Sequence, residues 1–237
     1  MAYWVGTSGY NYPEWRGSFY PEKLAAKAML PYYAERFSTV EINYTFYRAA
    51  TPKVLAGWSA LTPPHFKFTL KAPKRITHIL RLKECEEPLQ YFLSSARTLG
   101  EKLGVLLFQL PPMLKVDLAR LERFAALLPA EVPAAFEFRH PSWLAPEVLA
   151  LLRSRRLALC IADTGESTTP LEVTGEVGYF RLRDEHYAPQ DIEQWAQRIR
   201  AATSACREVF VYFKHEEQGT GPAFARQFQK ALGEPAP

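Results

Sequence analysis

The sequence predicts an α/β fold, a TIM-type (β/α)8 barrel with an irregular connection between strands six and seven. Three observations carry that expectation. Eight short β-like runs recur along the chain, most followed by apolar residues at helical spacing. The connections are long enough to cross over between parallel strands. Several runs also place a charged or amide side chain just before a proline, as in Lys71-Ala72-Pro73 and Gln109-Leu110-Pro111. Functional groups in such barrels occupy the C-terminal strand ends.

The first run is Tyr3-Trp4-Val5-Gly6-Thr7, followed by an aromatic loop carrying Tyr10, Tyr12, Trp15 and Phe19. A helix is expected from Pro21, with Leu24, Ala28 and Tyr32 on its inner face. The second strand, Thr39 to Thr45, alternates Ile42 and Tyr44 against Glu41, Asn43 and Thr45. A helix from Thr51-Pro52 leads to a third strand, 66–71, with Lys67, Thr69 and Lys71 on its polar side. Leu89, Phe92, Leu93, Ala96 and Leu103 then repeat at helical spacing.

The fourth run, Gly104 to Leu110, is almost wholly apolar, as in a parallel strand covered on both faces. Asp117 is a natural cap for the helix carrying Leu118, Leu121 and Ala125. The fifth strand lies within Ala134-Ala135-Phe136-Glu137-Phe138-Arg139-His140-Pro141-Ser142-Trp143. Phe136 and Phe138 share one face, and Glu137 and Arg139 the other. A core strand with both charge types on one face is costly unless that face looks into a site. A helix from Pro146 precedes the sixth strand, Leu157 to Asp163. Thr164 to Glu176 shows no helical pattern. Gly178–Arg183 and Glu208–Lys214 are the last two strands. Ile192, Trp195 and Ile199 mark one helix and Phe224, Phe228 and Leu232 another, with a frayed tail expected over Glu234-Pro235-Ala236-Pro237.

Composition bounds the function. With 237 residues and 48% hydrophobic content, one large core spanning 1–237 as a single domain is expected. A formal charge of +4 suits an anionic partner without the density of a nucleic-acid tail. Cys85, Cys160 and Cys206 form no C-x-x-C pair, which argues against disulfides and cysteine-based zinc. No signal-like start or membrane-length apolar run is visible, so a soluble, cytoplasmic protein with no membrane partner is expected. An open dinucleotide-binding sheet is the alternative fold, but Gly6-Thr7-Ser8-Gly9 lacks the G-x-G-x-x-G spacing.

Collected at one mouth, the strand ends supply Glu41, Asn43, Lys71, Gln109, Glu137, Arg139, Asp163, Arg181, Arg183 and Lys214. Glu41, Glu137 and Asp163 are the candidate catalytic acids or bases. Asn43, Lys71, Gln109, Arg139, Arg181, Arg183 and Lys214 are candidate substrate-binding residues. Trp143 is the candidate stacking platform among rim aromatics that include Tyr10, Tyr12, Trp15, Phe46, Tyr47 and Tyr187. Gly219-Thr220-Gly221, opening a helix, adds a candidate phosphate-binding turn. The three carboxylates also offer oxygen ligands of the kind Mg²⁺ or Mn²⁺ takes, without identifying a cofactor. The five histidines show no zinc-cluster spacing.

Several motifs together resemble the YecE-like family, also called domain of unknown function 72. They are Gly6-Thr7-Ser8-Gly9-Tyr10, Trp15-Arg16-Gly17-Ser18-Phe19-Tyr20-Pro21, Val40-Glu41-Ile42-Asn43-Tyr44-Thr45-Phe46-Tyr47, Ile76-Thr77-His78, Phe108-Gln109-Leu110-Pro111-Pro112 and Phe136 to Trp143. The resemblance spans almost the whole chain and implies a TIM-type barrel, but no reaction. The family pattern has Arg-Leu-His-Gly at the seventh strand end, Phe-Asn-Asn at the eighth and a later Gly-His-Ala. Here these are Arg181-Leu182-Arg183-Asp184, Phe213-Lys214-His215 and Gly219-Thr220-Gly221, a more cationic mouth.

The cation surplus leads to the expectation of an enzyme acting on a phosphate-bearing, anionic substrate such as a nucleotide or nucleic-acid end. A non-catalytic nucleotide or nucleic-acid binding module and a carbohydrate hydrolase using a carboxylate pair stay open. So do the oligomeric state and any need for a divalent metal.

Overall fold

A computed structural model of the chain describes residues 1–215 and 219–233. Eight parallel strands close into a barrel in chain order. They are β1 (Ala2–Ser8), β2 (Thr39–Ile42), β3 (Lys67–Lys71), β4 (Leu103–Gln109), β5 (Ala134–Glu137), β6 (Ala158–Asp163), β7 (Val177–Leu182) and β8 (Glu208–Phe213), with β8 pairing back onto β1. Around them run α1 (Met29–Ala34), α2 (Tyr44–Tyr47), α3 (Pro52–Ala60), α4 (Glu86–Ala96), α5 (Leu118–Ala126), α6 (Pro146–Ser154), α7 (Pro189–Ala202) and α8 (Thr220–Leu232). No helix among the described residues is long and apolar enough to cross a membrane.

Strand alternation divides the apolar residues into two cores. Inside the barrel pack Val105, Leu107, Ala135, Ala158, Cys160, Tyr179, Phe210 and Tyr212. The alternate residues, Leu106, Phe108, Phe136, Leu159, Ile161 and Phe180 among them, face the helices. Tyr212 Oη joins Thr39 Oγ1 and Thr69 Oγ1, each at 2.8 Å, so the middle of the interior is already polar and satisfied. The expected irregular connection is present: residues 164–176 contain no helix. Thr174 Oγ1 instead accepts from Leu159 N and donates to Leu157 O at the edge of β6.

Asp117 caps α5 by accepting from Arg120 N, as expected. Three boundaries differ from the sequence reading. The first helix begins at Met29, and its buried face is Met29, Leu30 and Tyr33, because Pro31 cannot lie in the interior of a helix begun at Pro21. The second strand stops at Ile42, where Thr45 Oγ1 donates to Ile42 O and Lys71 O and folds the chain into α2. Leu103 opens β4 instead of extending a helix, since Gly100 at φ +52° breaks the helical turn before it. The tail 234–237 lies outside the described residues.

Tyr33 is a wedge between β1 and β2. Its hydroxyl accepts from Thr7 N at 2.8 Å and donates to Thr39 O at 3.0 Å, standing in for a ladder bond. Residue 6 must be glycine here, because a Cβ would collide with Thr39 O and the Tyr33 hydroxyl. Tyr33→Phe strands both backbone groups in the core. It is expected to lower the unfolding free energy by about 1–3 kcal/mol in urea titrations, whereas an unchanged midpoint would show the wedge to be dispensable.

Candidate active site at the barrel mouth

The site is built on Arg181 of β7, which is 1% exposed. Strand parity turns Tyr179 and Arg181 inward, and across the interior Glu41 of β2 and Glu137 of β5 turn in from the other side. Arg181 Nη2 donates to Glu41 Oε1 at 2.8 Å, and Nη1 to Glu137 Oε2 at 2.5 Å. Glu41 also accepts from Ser8 Oγ and the Tyr179 hydroxyl. The second oxygen of Glu137 lies 2.6 Å from Arg139 Nη2. Asn43 Nδ2 donates to Ser8 Oγ at 2.7 Å, tying the loop after β2 to this network.

Both carboxylates are fully buried; Glu41 is hydrogen-bonded through both oxygens and Glu137 through Oε2, while Glu137 Oε1 has the ion pair with Arg139 but no hydrogen-bond partner among the described residues. Burial alone would raise the pKa of Glu137, but the guanidinium groups of Arg181, Arg139 and Arg183 outweigh it and hold the group down at about 2. Arg181 is the reverse case: burial opposes its charge, but Glu137 and Glu41 hold its pKa well above the ordinary value. Arg181, Arg139, Glu41 and Glu137 thus form one charge-compensated unit in the barrel centre.

Above it opens a cleft of about 640 Å³ lined by cations from four strand ends and one loop. Lys71, Lys74, Arg139, Arg181, Arg183 and Lys214 all face it. Lys71 Nζ donates to Gln109 Oε1 at 2.8 Å and lies 4.3 Å from the Phe46 ring centroid. Among the described residues neither Lys71 nor Arg183 has a carboxylate within ion-pair distance. Burial and then the nearby Arg181 lower Lys71 to about 8, with Lys214 adding and Glu41 and Glu137 opposing. Burial also lowers Arg183, and Arg181 and Arg139 add to that against Glu137. The Nε–H groups of Arg139 and Arg183 are buried with no acceptor among the described residues.

A family model described as protein of unknown function DUF72 matches residues 4–237. The chain belongs to the DUF72 family. The UPF0759 protein YunF of Bacillus subtilis is 25% identical over 269 residues, covering 97% of this chain and 94% of that protein. The UPF0759 protein YecE of Escherichia coli K12 is 30% identical over 143 residues, 60% of this chain and 50% of that protein. Among solved structures, a DUF72 family protein from Thermotoga maritima superposes with a TM-score of 0.84 at 27% identity, covering 99% of this chain and all of that one. One from Enterococcus faecalis, at 21% identity, has the same TM-score and shows the fold alone.

In this DUF72 protein the mouth gathers Asn43, Lys71, Gln109, Arg139, Arg181, Arg183 and Lys214 around the cleft, with Glu41 and Glu137 beneath. Arg183 and Lys214, where the family pattern has His and Asn, both line it. Two expected site residues do not. Asp163 shares parity with Ile161 and Leu159 and points toward the helices, where it accepts from Tyr187 Oη at 2.6 Å, Trp195 Nε1 at 3.1 Å and Thr168 Oγ1 at 2.8 Å. Trp143 is fully buried, stacked on Phe138 at 4.9 Å, and donates to Leu114 O, so it offers no open ring face.

Of the other rim aromatics, Tyr12, Phe46 and Tyr47 line the cleft, Tyr10 lines a neighbouring pocket, and Trp15 and Tyr187 are buried. Gly219-Thr220-Gly221 opens α8 as expected but does not line the cleft, and residues 216–218 before it lie outside the described residues. No group of three or more His, Cys, Asp or Glu is placed to hold a metal ion among the described residues. The three carboxylates expected to converge are separated by Arg181 and by the outward turn of Asp163.

The sequence reading passed over Lys74 and His78. His78 stands on the π-helical turn Arg75–Ile79, packs edge-on against Phe46 at 4.9 Å, and shares a 2.8 Å hydrogen bond between Nδ1 and Thr77 Oγ1. Its pKa is lowered by burial and then by Lys71, Lys74 and Arg139. The available signal was the Ile76-Thr77-His78 motif itself; π-turns gather at functional sites.

Arg181→Met leaves the buried Glu41 without its counter-ion and Glu137 with Arg139 alone, and is expected to cost about 3–5 kcal/mol of stability. A change below about 1 kcal/mol in denaturant unfolding would contradict the compensated unit. Because Glu137 is held at about 2, below its ordinary 4.5, its contribution is complete above pH 4.5 and lost as the pH falls toward 2. The unfolding free-energy gap between wild type and Glu137→Gln should therefore narrow across that window, and a constant gap would contradict the assignment.

Proposed function

We propose that this protein is an enzyme acting on a phosphate-bearing substrate, such as a nucleotide or nucleic-acid end, with the phosphate held at the barrel mouth by Arg139 and Arg183. The observation that carries this reading is the gathering of Lys71, Lys74, Arg139, Arg181, Arg183 and Lys214 around one open cleft, where Lys71 and Arg183 have no carboxylate within ion-pair distance among the described residues. Arg183, whose charge burial and like neighbours disfavour, gains most from an incoming dianion. Arg183 contributes a planar fork suited to two phosphate oxygens.

Glu41 and Glu137 are assigned to orient Arg181 and Arg139, not to carry protons. A carboxylate held at about 2 is a poor base near neutral pH. The same engagement argues against the carbohydrate-hydrolase alternative, which needs one carboxyl group protonated toward the glycosidic oxygen. The cleft's size suits a small phosphate ester or a chain end.

Calorimetric titration with a nucleoside monophosphate, a sugar phosphate, a neutral sugar and a short oligonucleotide at two salt concentrations tests the reading. Saturable binding of a phosphate ester is expected, weakened about tenfold to a hundredfold by Arg183→Ala. Binding of the neutral sugar without the phosphates would overturn it. Oligonucleotide binding that collapses with salt, with no small phosphate ester bound, would favour a nucleic-acid binding module.

A further inference from the structure

We propose that Lys71 is a nucleophilic amine that captures the carbonyl carbon of a phosphorylated aldehyde or ketone as an iminium, with His78 carrying the proton. This rests on the phosphate-binding reading and names the substrate class more narrowly. Lys71 stands at the C-terminal end of β3, faces the cleft, and is fixed by Gln109, whose Oε1 also lies 3.4 Å from Arg181 Nη1. The Lys71 ammonium and the His78 ring both rest against Phe46, on two of its contacts within the same cleft. Arg183 and Arg139 line that cleft too, so a phosphate held by them brings the rest of a small substrate to the amine.

An amine is nucleophilic only when deprotonated. Neighbouring cations and burial are what make a lysine so near neutral pH. The groups facing Lys71 are Arg181 and Lys214, which lower its pKa, and Glu41 and Glu137, which oppose them; burial is the largest influence, and the net value is about 8. Burial and then Lys71, Lys74 and Arg139 lower His78 from its ordinary range, which favours the neutral ring that a proton acceptor needs. Thr77 engages its Nδ1, assigning the proton-carrying role to Nε2.

The step balances without a further reactant. The Lys71 ammonium gives one proton to His78, and the Nζ lone pair forms a bond to the carbonyl carbon while the C=O π pair moves to oxygen. A proton passes from nitrogen to that oxygen to give a carbinolamine. His78 then returns its proton to the hydroxyl, the C–O bond breaks, and water leaves as the nitrogen lone pair forms the iminium. One ammonium and one carbonyl yield one iminium and one water.

Borohydride trapping tests this with glycolaldehyde phosphate and, in parallel, unphosphorylated glycolaldehyde, the modified lysines being located by peptide mass spectrometry. Labelling by the phosphate ester is expected to concentrate on Lys71 over Lys74 and the exposed lysines, and to rise with pH toward 8. Lys71→Arg should lose the label but still bind inorganic phosphate, and His78→Asn should slow labelling by about tenfold or more. Circular dichroism melting of each variant separates loss of the amine from loss of fold, and the wild-type labelling pattern stands without either variant. Inorganic phosphate binding with Lys71 unlabelled overturns the amine role and leaves the proposed function intact. Neither phosphate binding nor labelling overturns both. Equal labelling of Lys71 by the two aldehydes overturns the assignment to phosphorylated substrates.

Discussion

Arg181, held in the barrel centre between Glu41 and Glu137, is the interaction on which the architecture of the mouth depends. Transferring ions from water to a protein interior costs several kcal/mol each, and a buried pair recovers this only with good geometry and further hydrogen bonds. Here those bonds exist. Ser8 and Tyr179 donate to Glu41, and Arg139 adds a second ion pair to Glu137. Through one guanidinium, contacts run from β7 to β1, β2, β4 and β5. Residues far apart in sequence are thereby held in a single arrangement at the C-terminal face.

That unit consumes both inward-facing carboxylates among the described residues. Glu137 divides its oxygens between two arginines, and Glu41 is filled by a guanidinium and two hydroxyls. Lys71 and Arg183, one layer nearer solvent, are therefore left to share a cleft with other cations at reduced basicity. Electrostatic compensation below and undercompensation above are two sides of one distribution. It favours an anion at the rim, and it favours chemistry by a neutral amine or imidazole over chemistry by a carboxylate.

Much of this was legible in the alternation of strand residues. Glu41, Lys71, Glu137 and Arg181 each sit on the polar face of their run, Gln109 ends an apolar one, and each turns into the barrel. Asp163 was misread by a single step: counting from Ala158 and Cys160 puts Ala162 inside and Asp163 outside, and a one-residue slip exchanges faces. Trp143 follows a charged strand end in sequence, but the 3₁₀ turn Pro141–Leu144 folds it back onto Phe138. His78 lies several residues beyond β3, and no hydrophobic period shows that a π-turn returns it to the mouth beside Phe46. Parity is local and readable, whereas loop folding depends on contacts made after the barrel has closed.

The most direct measurement is an anomalous difference map from crystals soaked in tungstate, a phosphate-like dianion whose scattering identifies it. The account requires a peak in the cleft within hydrogen-bond reach of Arg183 and Arg139, with the Arg181 contacts to Glu41 and Glu137 unchanged. A cleft without tungstate, or tungstate bound only after Arg181 has left its two carboxylates, would contradict it.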